Sequence, residues 1–97
     1  MEVGKTYTFK LNSGEELIAK IVNVGGTFTK VTNPVSIAPS QQGMQMIPSL
    51  FTANIDEEIS INNNSIAICA VTDQSVADKY LEATTGIKVP DKKIILG

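Results

Sequence analysis

A chain of 97 residues suits a single domain over 1–97, with a core near the lower end of workable size, so association is a natural way to gain burial. No apolar run approaches the roughly 18 residues of a membrane span, and a single cysteine excludes an internal disulfide framework. Eight lysines, with no arginine or histidine, face ten carboxylates; the formal net charge of −2 weighs against a strong, sequence-blind grip on phosphates.

The opening "MEVGKTYTF" lacks the basic start and long apolar stretch of a signal peptide, so a soluble, cytoplasmic protein with no membrane partner is expected. In "KTYTFKL", Tyr7, Phe9 and Leu11 alternate with Thr6, Thr8 and Lys10, the period of a half-buried strand. "NSGE" supplies a tight turn, with Asn12 or Gly14 able to take positive φ. A second strand runs over about 16–24. Leu17, Ala19 and Ile21 share one face while Ile18 and Val22 flank Lys20 on the other, so the strand is expected to serve two layers of packing. Gly25-Gly26 breaks it and "TFTKVT" forms a third strand, punctuated by Asn33-Pro34, with "VSIAP" as a short continuation.

"SQQG" reads as a loop and "MQMIPSLFT" as a fourth strand, where Pro48 favours a bulge or an edge. "ANIDEE" is an acidic turn, and "ISI" leads into a triple asparagine. "SIAICAV" is the fifth strand, with Ile66, Ile68 and Ala70 on one face and Ala67, Cys69 and Val71 on the other. Cys69 reads here as a small buried apolar residue. A strand with no polar face is an aggregation hazard if left as a free edge, which argues for pairing between copies. One helix is expected over about 75–85, capped by Asp73 or Ser75 and ended near Gly86, with Val76, Tyr80 and Leu81 packing down. The tail, 86–97, ends in "IIL", a short docking strand or a disordered end.

The fold class is therefore mainly β: strands over about 5–72 forming a small, strongly bent, five-stranded open barrel with a C-terminal helix. Catalysis is not expected. Without histidine, acid–base work would fall to carboxylates or lysines, and Glu15 and Glu16, adjacent on a strand, point to opposite faces. No zinc spacing, phosphate-cradling loop or nucleophile motif is present, so neither a cofactor nor a metal is expected.

Two stretches carry a family resemblance. "LNSGEELIAKI" resembles the first Sm motif, with Leu11, Gly14, Leu17 and Ile21 at matching places and Ala19 where the family prefers glycine. "INNNSIAI" resembles the second, through Ile61, Ile66 and Ile68. The chain is also similar to small proteins of marine cyanobacterial phages in "GEELIA", "GMQMIP" and "YLEATTGIKVP". That likeness would place it in the host cytoplasm.

The Sm resemblance implies an Sm-like barrel that closes by edge-to-edge pairing into a homo-oligomeric ring of five to seven subunits, with Met46, Leu50, Ile66, Ile68 and Ala70 at the interface. It also implies single-stranded RNA as the partner, met by Thr27, Phe28, Thr29, Asn62 and Asn63 near the pore. The chain departs from the pattern. Thr29 stands where the family has its uridine-contacting asparagine, and Asn62-Asn63 where it has Arg-Gly. Competing readings are Phe28 as core and the asparagines as turn formers. For the whole chain, the alternatives are a non-enzymatic structural or protein-interaction module, such as a phage accessory or adaptor ring, and a monomeric OB-like barrel.

Overall fold

The computed structural model describes residues 1–84. Six strands, β1 (Thr6–Leu11), β2 (Glu16–Val24), β3 (Phe28–Ser40), β4 (Gly43–Pro48), β5 (Ile59–Asn62) and β6 (Ile66–Val71), precede one helix, α1 (Gln74–Thr84). A 3-10 turn, Asn63–Ser65, joins β5 to β6. All strand pairs are antiparallel, in the order β4-β3-β2-β1-β6, with β5 also on β3. The result is a small, bent, open barrel with a helix after its last strand. The run "ISI" is a strand of its own, and "VSIAP" is the far half of β3.

That length forces β3 to bend. Its first part, Phe28–Val31, pairs with β5, and its last part, Val35–Ser40, pairs with β4. Between them Asn33 takes φ 52°, a left-handed conformation that asparagine tolerates, ahead of a buried Pro34 with no N–H to lose. The bend is held from the following loop: Asn33 N donates to Ile55 O at 2.7 Å and Ser49 N to Pro34 O at 3.1 Å. Beyond Gly14, at φ 95° in the β1–β2 turn, Ser36 Oγ donates to the Glu15 carboxylate and lies 3.0 Å from Ser49 Oγ.

β2 serves two cores, as its sequence implies. Tyr7, Phe9, Leu17, Ala19, Ile21 and Val31 fill the inside of the curl, with Leu11, Ile59, Ile61 and Ile66 packed against them. Ile18, Val35 and Tyr80 form a second cluster outside it, with Ile37, Met46 and Val76 at its margin. Each fully buried side chain of this size contributes about 1.5–3 kcal/mol of transfer free energy. α1 closes the second cluster. Asp73 stands before its first turn, accepting from Ser75 Oγ at 2.6 Å while its carbonyl accepts from Ala77 N at 2.8 Å. Tyr80 Oη donates to Asn33 O at 2.8 Å, tying the helix to the β3 bend.

Four expectations need correction. Leu81 is 44% exposed because α1 presents its apolar side through Val76 and Tyr80 alone. The fourth strand ends at Pro48, so Leu50 lies in the loop after it. β6 does not alternate cleanly: Lys10 pairs with Ile68 but Leu11 with Ile66, a bulge that leaves Ala67 as the extra residue. Ile66 therefore lies on the core side with Cys69 and Val71, while Ile68 and Ala70 face outward with Lys10 and Thr8. Cys69 is exposed, because β6 is an edge strand pairing with β1 alone. Among the described residues no helix is long and apolar enough to cross a membrane. The tail, 86–97, and the last residue of the expected helix lie outside the described residues.

Candidate nucleic-acid interface

The β2–β3 turn and the β5–β6 turn meet, because β5 runs beside the start of β3 with Phe28 opposite Asn62 and Thr29 opposite Ile61. The first turn is tight. Gly25 N donates to Phe28 O at 2.9 Å, and a Cβ on Gly25 would stand 2.7 Å from that same oxygen. Glycine is required here by close backbone approach.

Asn63 fastens the two turns together. Its Nδ2 donates to Gly25 O at 2.9 Å, its backbone N to Thr27 O at 2.9 Å, and its Oδ1 accepts from Thr29 Oγ1 at 2.7 Å. Asn62 caps the 3-10 turn, its Oδ1 accepting from Asn64 N at 2.9 Å. Asn12 reaches across from the β1–β2 turn, donating from Nδ2 to Asn64 O at 2.6 Å and from N to Ser65 O at 2.8 Å. The 3-10 turn thereby bridges the gap between β5 and β6.

All five sequence-predicted contact residues gather at this junction, in two different states. Thr29 is fully buried and Asn63 half-buried, with their side-chain polar atoms bonded inward. Thr27 and Asn62 are exposed, and Phe28 is 47% exposed and outside both core clusters. Phe28 and Asn62 share the outward face of the β3–β5 ribbon with Lys30 and Ser60. Lys30 Nζ lies 3.7 Å from Glu58 Oε1. Gly25 and Asn12, which also shape the junction, are not among the expected contact residues. Their signal in the sequence is only that each lies in a turn.

The five interface candidates fall in two places, Met46 and Leu50 on or just after β4 and Ile66, Ile68 and Ala70 on β6. Met46 packs at the margin of the outer cluster and Ile66 at that of the inner one. Leu50 is 42% exposed in its loop, and Ile68, 62% exposed, shares the outer side of the β6 edge with exposed Ala70. Among the described residues no three Cys, Asp or Glu side chains are disposed to hold a metal ion. What the junction offers a ligand is an aromatic face, an exposed hydroxyl and an exposed amide. Compared with known proteins, the chain matches no family model, and no curated protein matches it.

Proposed function

We propose that this protein is an Sm-like subunit that assembles edge to edge into a ring and binds single-stranded RNA at the junction of its β2–β3 and β5–β6 turns. The observation that carries the reading is Phe28: a half-exposed aromatic on a rigid, hydrogen-bonded junction, beside the exposed Thr27 and Asn62. Single-stranded RNA is bound through such faces, because unstacked bases stack on aromatic rings and use their edges for hydrogen bonds. Assembly is supported by β6, whose Ile68 and Val71 are 62% and 63% exposed on opposite faces of an edge strand.

Anisotropy of labelled short single-stranded RNAs at low salt tests the reading. Binding is expected, and Phe28→Ala should weaken it by roughly tenfold or more, the scale of one lost base stack. No binding across varied single strands would remove it. A second reading, a protein-interaction module without nucleic acid, is favoured by one observation: Thr29 and Asn63 turn their polar atoms inward. Wild-type binding unchanged by Phe28→Ala would keep RNA as the partner and move the contact away from this junction.

A further inference from the structure

We infer that the apolar strip on the outer face of the β3–β4 hairpin is the docking site of this chain's own segment 85–97, seated through Ile87 and Val89. The inference is independent of the RNA reading above.

The strip follows from the register. Ile37 pairs with Met46 and Pro39 with Met44, so these four side chains rise on one face, the face of Val35. Val35 belongs to the outer cluster that α1 covers, and Ile37 and Met46 pack at its margin. Farther along the hairpin the strip runs on uncovered: Pro39 is exposed and Met44 is 62% exposed. The other face of the hairpin carries Ser36, Ser40 and Gln45. The strip thus prolongs a buried cluster past the helix that covers it, the kind of apolar surface that marks a docking site.

Position, pattern and charge name the occupant. Tyr80 packs in the same outer cluster, and Thr84, the last described residue, donates from Oγ1 to Tyr80 O at 2.8 Å. Segment 85–97 therefore starts one helical turn from the cluster that the strip extends. Its thirteen residues reach about 43 Å when extended, against about 14 Å along the strip from Val35 to Pro39. Ile87 and Val89 are two apart, so an extended chain turns both to one face and Lys88 to the other. Pro90 biases Val89 toward that extended backbone.

The charges are complementary as well. Residues 1–84 hold five lysines and nine carboxylates, a net −4, whereas 85–97 holds three lysines and one aspartate, a net +2. The exposed acidic turn Asp56-Glu57-Glu58 lies on the side where α1 is anchored. Tyr80 Oη donates to Asn33 O at 2.8 Å, and Asn33 N donates at 2.7 Å to the oxygen of Ile55, next to Asp56. Lys88, Lys92 and Lys93 bring the opposite sign to that side.

The test is cross-linking of the full chain with its three methionines replaced by a diazirine analogue of methionine. This puts light-activated probes at Met44 and Met46 in the strip and at Met1, outside it, as a control for chance encounters. Ordinary and nitrogen-15-labelled chains are mixed, irradiated, digested and read by mass spectrometry. Links from Met44 or Met46 to 85–97 are expected, each carrying a single isotopic label, and in greater yield than links from Met1. Ile87→Asp with Val89→Asp should lower that yield by about fivefold or more, since a carboxylate placed against an apolar face loses its water. Links of mixed label would make another copy the occupant and overturn the inference. So would an absence of links to 85–97, or a yield unchanged in the double variant, which would mean tethering without docking. The isotope pattern of the unsubstituted chain decides the occupant even where the double variant fails to fold.

Discussion

Asn63 and Thr29 form a closed polar pair, and that fixes how each responds to substitution. In Asn63→Ala the buried Thr29 hydroxyl loses its acceptor and Gly25 O loses its donor. Leaving a buried group unpaired costs about 1–3 kcal/mol, so the urea midpoint should fall correspondingly. Thr29→Val removes the hydroxyl and keeps the shape, and the half-buried Asn63 oxygen it frees can still meet water. It should cost less than Asn63→Ala. The double variant should cost less than the sum of the two, because the orphaned hydroxyl is gone; equal additive costs would show that the pair does not act as a unit. Part of this was legible: in "TFTKVT" the alternation that sends Phe28 and Lys30 outward sends Thr29 and Val31 inward. The inward fastening by Asn63 was not, because a run of three asparagines does not say which one turns in.

At the scale of elements, α1 is anchored through one side chain. Tyr80 is 1% exposed and donates to Asn33 O, and burial pushes its hydroxyl up to about 12 from an ordinary value near 10. The folded state therefore holds the phenol proton more tightly than the unfolded chain does. Tyr80's share of stability is whole below pH 10 and drains away as the pH rises through about 12. Tyr80→Phe should lose about 1 kcal/mol at neutral pH with the hydrogen bond, and should flatten the stability loss between those two values. Denaturant melts at several alkaline pH values check this; a parallel decline in both proteins would mean that the helix is not anchored this way. The carboxylate of Asp73 is held below its usual range chiefly by the Ser75 hydroxyl, with the Ser75 and Val76 N–H groups adding to it. Its help to the first turn is thus present above the ordinary carboxylate value and lost as the pH falls through the lowered one. The helix itself was readable from Asp73, Val76 and Tyr80. Leu81 was misplaced because the inner cluster is already closed by strands, so α1 has only the small outer patch of Ile18 and Val35 to cover.

For the whole molecule, the curl was legible because β2 carries apolar residues on both faces and glycines or Asn33-Pro34 stand at the bends. The state of its edges was not, since exposure depends on what pairs with them and a period of two survives a bulge only up to the bulge. The shift at Lys10/Leu11 splits β6, sending Ile66 to the core and leaving Ile68 outside at 62% exposure. This makes Ile68 a selective probe of assembly. Ile68→Lys alters an edge position that the single chain does not bury, so unfolding of the lone subunit should shift by no more than about 0.5 kcal/mol, as for ordinary surface substitutions. A lysine on a strand edge does, however, block pairing with another chain. If copies join along β6, light scattering should give a multiple of the chain mass for the wild type and the mass of one chain for the variant. A wild type with the mass of one chain at every concentration would end the ring proposal and leave an isolated barrel with an exposed apolar edge. An oligomer unaffected by Ile68→Lys would move the interface elsewhere, and the β4 and β5 edge of β3 would be the next place to substitute.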